Sequence, residues 1–392
     1  MPDTRASVVA CGGFAALAVA MGVGRFAFTP VLPLMQDEFG ITLAEGGWLA
    51  SANYLGYLAG ALSAALVADV ARRGAIRLGL VTIALSTLAM GATENFAAWM
   101  ALRFLPGFAS AWVLVCVSAW SLELLGTAGR PTLGGAVYAG VGAGIAFAGI
   151  TCLMLFQVGG SSSAAWVVLG AAAFVVALAL WPVVGSDARA AADSPASKAA
   201  VVEIPEYWHL VFCHGAFGLG YIIPATFLPV MAKQVIAEPL WFGLAWPVFG
   251  VAALISTLAA ARLTHVTGQR QVWILGNVAM GIGVLVPIWV PGLAGIAIAA
   301  ICVGGTFMVN TMAGMQEARR VAGARAGELM AAMTSAFAAG QIAGPLLAGW
   351  LARFESGFMA ALAAAAIPLF AAAYILWRGT PWIACRRSPA AH

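Results

Sequence analysis

The sequence predicts an all-α membrane protein with twelve transmembrane helices in two pseudo-symmetric six-helix bundles. Three observations carry that prediction. Of 392 residues, 62% are hydrophobic and 9% charged, whereas a soluble domain carries about 25% charged residues; too few polar groups are present to cover a surface facing water. The apolar residues come in runs of about 20, the length that crosses a bilayer. The runs of the first half of the chain then recur in the second.

In order, the runs lie near 8–35, 44–68, 76–93, 97–122, 132–157, 164–184, 207–231, 240–261, 272–290, 294–316, 328–351 and 357–377. The first has the outline of a signal peptide, with Arg5 ahead of it and Ala18-Val19-Ala20 as a cleavage site. It continues well past Ala20 and has a counterpart in mid-chain, so it is read as the first helix. After the sixth run, Gly185 to Pro205 holds Asp187, Arg189, Asp193, Lys198 and Glu203 among alanines, serines and prolines, the composition of a solvated linker. The division is therefore an N-terminal half over 1–184, a cytoplasmic linker over 185–205, a C-terminal half over 206–380 and a cytoplasmic tail over 381–392.

The repeat is specific. Gly22, Gly24, Leu32, Pro33 and Met35 reappear 196 positions later as Gly218, Gly220, Leu228, Pro229 and Met231. Gly56 and Gly74 answer to Gly250 and Gly268. Gly140, Gly144 and Gly149 in the fifth run answer to Gly340, Gly344 and Gly349 in the eleventh. Paired half-repeats are the mark of transporters that expose one central site alternately to either side.

Basic residues orient the helices. One side receives Arg5, Arg72, Arg73, Arg77, Arg130, Arg189, Lys198, Arg262, Arg270, Arg319, Arg320, Arg325, Arg378, Arg386 and Arg387; the other receives Lys233 and Arg353. Both termini are expected in the cytoplasm, with the chain in a bacterial inner membrane.

Several functions are excluded. The net charge of +4 is small and spread over loops, which does not suit nucleic acid. Six single cysteines form no CxxC or metal spacing. Gly140-Val141-Gly142-Ala143-Gly144 follows no strand and is not a nucleotide loop. No Walker A lysine motif and no nucleophile–base–acid set occur. No cofactor, no metal and no enzymatic activity are expected, and a monomer is.

Twelve runs in two repeated halves, with a basic loop after the second, resemble the major facilitator superfamily over essentially the whole chain. The superfamily's loop signature is matched in part by Ala65-Leu66-Val67-Ala68-Asp69-Val70-Ala71-Arg72-Arg73-Gly74: Asp69 and Arg73 fit, whereas Ala65, Val70 and Arg72 depart from it. Arg103-Phe104-Leu105-Pro106-Gly107 is similar to the arginine–glycine signature of the fourth helix. GVGRFAFTPVLPLMQ (22–36) and LMAAMTSAFAAGQIAGPLLAG (329–349) resemble the YbfB/YjiJ-like transporters. The resemblance implies alternating access, a cavity lined by helices one, four, seven and ten, and a conformational latch formed by Asp69, Arg72, Arg73 and Arg77.

Arg25 is the outstanding residue. An arginine at the centre of a spanning helix costs roughly 2.5–3.5 kcal/mol on insertion scales. It is either a structural arginine bonded to neighbouring carbonyls or a cavity arginine that binds an anion, and the second reading is preferred because intramembrane charges are functional by default. In the repeat it aligns with Tyr221. Arg103 is a second substrate anchor or a structural, proton-linked arginine. No acid lies in mid-membrane. His214, two turns before Tyr221, and Glu123 are candidates for proton coupling, against packing for the first and pairing with Arg130 or the basic loop for the second. Asn53, Tyr54, Tyr57, Tyr138, Asn310 and Gln341 supply neutral polar groups, and Met308, Met312 and Met315 form a stripe suited to packing or to a tolerant cavity wall.

The function expected is a secondary transporter of a small anionic or carboxylate-bearing solute held by Arg25, with protons as a candidate coupling ion. The alternatives are broad efflux of amphipathic compounds with Arg25 structural, and a membrane receptor or scaffold without transport.

Overall fold

The computed structural model describes residues 2–64, 72–130, 132–184, 207–235, 243–322, 326–351 and 357–379. The linker 185–205, the tail 381–392 and Asp69 lie outside the described residues.

All regular structure within the described residues is helical. The elements are α1 (Pro2–Leu17), a π-helical segment (Ala18–Phe26), α2 (Phe28–Phe39), α3 (Leu43–Ala64), α4 (Arg72–Met90), α5 (Phe96–Thr127), α6 (Leu133–Gln157), α7 (Ser162–Leu180), α8 (Trp208–Val235), α9 (Ala245–Thr267), α10 (Gln269–Trp289), α11 (Leu293–Ala322), α12 (Ala326–Leu351) and α13 (Gly357–Arg378). The first three are consecutive pieces of one rod, which makes twelve rods, each at the place of an apolar run. Ten are long and apolar enough to cross a membrane, α3 and α8 standing outside that set over the residues described.

Local chemistry sets the helix starts. Thr42 and Glu45 form a reciprocal cap on α3: the Thr42 backbone N–H donates to Glu45 Oε2 at 2.8 Å, and the Glu45 N–H donates to Thr42 Oγ1 at 3.2 Å. Asn95 caps α5 by accepting from the Ala98 N–H at 3.0 Å, and Ser161 caps α7 by accepting from the Ala164 N–H at 3.1 Å.

The surface is apolar where lipid would touch it, with Leu78, Leu85, Met154, Val175, Ile255, Leu275 and Ile367 exposed. The exposed tryptophans Trp48, Trp181, Trp208, Trp289, Trp350 and Trp377 sit at or near helix ends, as in the aromatic belts at the two membrane–water boundaries.

The contacts repeat as the sequence does. The first rod packs on α6, α3 on α5, and α4 on α5 and α7; correspondingly α8 packs on α12, α9 on α11, and α10 on α11 and α13. Glycine permits the closest of these approaches. A Cβ on Gly22 would meet the backbone of Gly144, and one on its repeat partner Gly218 would meet the backbone of Phe337. Helices before the linker meet helices after it along α6–α9 and α3–α12, where Gly142 of α6 leaves room for the backbone of Leu254 and Gly250 in α9.

Candidate functional site

The first apolar run is not one uniform α-helix. Its centre widens to π geometry over Ala18–Phe26, and Arg25 lies in the last turn of that segment. Proline bounds this segment on its C-terminal side. Pro30 has no N–H, so the Arg25 carbonyl five residues earlier has no π-type donor in its own rod. Arg103 of α5 supplies one: its Nη2 donates to the Arg25 carbonyl at 3.3 Å, while its guanidinium carbon lies 4.7 Å from the centroid of Phe28. Asn53 of α3 steadies the adjoining residue, its Nδ2 donating to the Gly24 carbonyl at 3.1 Å and to the Arg103 carbonyl at 2.9 Å. Arg103 and Asn53 thus hold the backbone on which Arg25 stands.

The Arg25 side chain is 2% exposed. Its Nη2 donates to Gln341 Oε1 of α12 at 2.6 Å, and Gln341 Nε2 donates to the Tyr221 hydroxyl of α8. The amide orientation is fixed by chemistry, since guanidinium offers donors only. The chain Arg25–Gln341–Tyr221 therefore ties the first rod to two helices beyond the linker. The guanidinium carbon also lies 3.8 Å from the centroid of Tyr57 and 5.8 Å from that of Tyr54, a favourable place for a cation. Nε and Nη1 of Arg25 are buried with no hydrogen-bond partner. Buried donors left unmade are costly, more so when charged, so this guanidinium retains unused capacity for an acceptor.

Beside it lies a cavity of about 20 Å³, enough for a water molecule. Phe26, Tyr57, Tyr221, Phe307 and Phe337 form aromatic walls, and Met21, Met308 and Met315 complete much of the lining. Tyr221 runs nearly parallel to two rings, Phe307 at 5.7 Å and Phe337 at 5.4 Å between centroids. His214 borders the same cavity, with Nδ1 buried and unpartnered. A second tie crosses between the sets of helices where Tyr54 and Thr226 hydroxyls meet at 3.0 Å.

The structure thus brings Arg25, Tyr54, Tyr57, Tyr221 and Gln341 together, with His214 on the adjoining wall and Arg103 behind the backbone. Asn310 lies elsewhere: its Nδ2 donates to Asn277 Oδ1 at 3.5 Å, joining α11 to α10. Tyr138 donates to Ser118 at 2.9 Å. Glu123 is at the far end of α5, 3.2 Å from Arg72, while Arg73 is exposed and Arg77 donates to the Trp181 carbonyl with its guanidinium carbon 4.8 Å from that indole's centroid. Thr226 and Phe307 escaped sequence reasoning. A hydroxyl five residues beyond Tyr221 and a ring beside Met308 were the available signals, and neither separates a site from a core.

A family model described as the uncharacterised MFS-type transporter YbfB matches residues 17–377. Over 94 residues the chain is 36% identical to the uncharacterised MFS-type transporter YceJ of Bacillus subtilis strain 168, a match covering 24% of either chain. The matched part spans about a quarter of that relative.

Proposed function

The chain belongs to the major facilitator superfamily, in the family of the uncharacterised transporter YbfB, and on that premise we propose that it is a secondary active transporter of a small organic anion. The protein is a multi-pass membrane protein. In this reading it sits as a monomer in a bacterial inner membrane with both termini in the cytoplasm. The halves 1–184 and 206–380 rock about a site between them, so that the solute meets one side of the membrane at a time.

The observation that carries the reading is Arg25: a buried cation where helices from both parts of the chain meet, with two nitrogens unpartnered. An anion at this position meets charge-assisted donors in a dry environment. Tyr57 and Tyr54 hold the guanidinium flat, and Tyr221 and Gln341 orient the solute. Asp69, Arg72, Arg73 and Arg77 latch the cytoplasmic face. His214 is the better candidate for proton coupling, because it borders the cavity and its buried Nδ1 is unpartnered; Glu123 is a second, released from Arg72 when the latch opens.

A second reading, efflux of amphipathic compounds, is favoured by the methionine and aromatic walls, which adapt to varied apolar shapes. A receptor or scaffold without transport gives no role to the repeated halves.

The test is a thermal-shift screen of a ligand library on the purified protein and on Arg25→Ala, since ligands bound only by the native state raise its stability. Carboxylates that stabilise the wild type alone support the anion reading. Apolar or cationic hits indifferent to the mutation favour efflux.

A further inference from the structure

Two arginines at the start of α4 have no acid beside them. Arg72 lies 3.2 Å from Glu123, but among the described residues Arg73 and Arg77 form no ion pair. They stand one turn apart on the same helix, where side chains are neighbours and like charges repel. Arg73 is exposed, and it is the charged group that acts on Arg77.

The repeat supplies a comparison. Arg77 donates to the Trp181 carbonyl at the C-terminal end of α7. In the second part of the chain Arg270 of α10 does the same for α13, its Nε donating to the Leu376 carbonyl in the last turn at 2.9 Å. Each bond satisfies a carbonyl that a helix end leaves without a partner. The surroundings then differ. Arg270 is buried and feels the charge of Glu317. Arg77 is partly exposed, with Arg73 where an acid would be. Its guanidinium carbon lies 4.8 Å from the centroid of the Trp181 ring, so the carbonyl and the indole together fix its position. Trp181 is itself exposed, and tryptophans at helix ends sit at the level of lipid headgroups. Towards the membrane centre the same two helices expose Leu78, Leu85, Val175 and Leu178, a surface suited to acyl chains.

We propose that Arg73 and Arg77, beside Trp181, bind the phosphate of an anionic phospholipid from the cytoplasmic leaflet, whose chains lie along α4 and α7. The inference takes from the reading above only the side of the membrane that these helix ends face. Basic pockets between spanning helices hold anionic headgroups on that side. The phosphate accepts charge-assisted bonds from both guanidinium groups and offsets their repulsion, as Glu317 offsets the charge of Arg270. Arg72 keeps its tie to Glu123, so the lipid occupies the two arginines that this tie leaves over.

The test is native mass spectrometry of the purified full chain in micelles, titrated with phosphatidylglycerol, phosphatidylcholine and water-soluble glycerol 3-phosphate. The variants are Arg73→Gln, Arg73→Gln with Arg77→Gln, and a control of equal charge, Arg262→Gln with Arg378→Gln, which alters two exposed arginines at other helix ends. Phosphatidylglycerol is expected to bind the wild type about tenfold more tightly than phosphatidylcholine. Arg73→Gln should weaken it about fivefold and the double variant about 25-fold, a factor of about five for each arginine, with less than about twofold in the control. If the double variant does not fold, Arg73→Gln decides, since its side chain is exposed. Equal binding of the two lipids, unchanged binding in folded Arg73→Gln, or an equal loss in the control overturns the site. Displacement of phosphatidylglycerol by an equal concentration of glycerol 3-phosphate overturns the lipid as occupant and leaves a site for free phosphate esters. The orientation is checked separately by labelling Arg73→Cys, with the native cysteines replaced, in intact cells with a membrane-impermeant thiol reagent. Protection supports the cytoplasmic leaflet; labelling overturns the leaflet and the orientation, while a lipid contact measured in micelles stands.

Discussion

Replacing Asn53 by leucine keeps most of the side-chain volume and removes the two donors that reach the Gly24 and Arg103 carbonyls at 3.1 and 2.9 Å. Interhelical hydrogen bonds in membranes are worth on average about 0.6 kcal/mol and at most about 1.7 kcal/mol. Two bonds lost together give a destabilisation of about 1–3 kcal/mol, which is roughly a 5- to 150-fold rise in the unfolding constant. The assay is reversible denaturation in mixed micelles, followed by tryptophan fluorescence. Because Arg103 braces the neighbouring carbonyl at 3.3 Å, Asn53→Leu and Arg103→Lys share one structural element, and their double mutant is expected to depart from additivity by more than about 0.5 kcal/mol. A loss under about 0.5 kcal/mol for Asn53→Leu, or additive effects in the pair, would refute the view that these residues hold the π-helical turn.

Thr42→Ala removes the cap on α3 and is expected to cost about 0.5–2 kcal/mol in the same denaturation assay; no change would mean that the cap is dispensable. Tyr54→Phe deletes the hydroxyl contact with Thr226, a bond worth about 0.5–1.5 kcal/mol. It should raise labelling of Thr29→Cys by a membrane-impermeant thiol reagent, with the native cysteines replaced, and unchanged labelling would show that the bond does not hold that side closed. Gly142→Val drives a side chain into the α9 backbone and is expected to reduce proteoliposome flux severely while helices within each part of the chain still form by circular dichroism; normal flux would contradict a close seam there. Asp69→Asn should slow turnover more than it weakens solute binding, and a large loss of affinity at unchanged turnover would count against a latch.

The helices were legible because lipid imposes a simple rule: every long apolar run must become a rod. The repeat was legible for a similar reason, since glycines such as Gly22 and Gly218 are fixed by backbones that nearly touch. Arg25 was legible as an anomaly, one charge in an apolar run, and its alignment with Tyr221 anticipated residues that now meet through Gln341. The widened turn was not legible, because it depends on Asn53 and Arg103 reaching across from other helices. Asn310 shows what sequence leaves open. Its type and depth match those of a site residue, and only the position of Asn277 on the neighbouring helix gives it a different partner.

The polar character of α3 also bears on how the chain enters the membrane. This helix carries Asn53, Tyr54 and Tyr57. Its polar groups find their partners on α5, on the first rod and on α8, two of which are synthesised later. During synthesis the Asn53 amide meets the Arg103 carbonyl, and the Tyr54 hydroxyl meets Thr226, only after α5 and α8 have been made. Damage to α5 would therefore leave a buried amide of α3 without its partner and act on assembly as well as on transport.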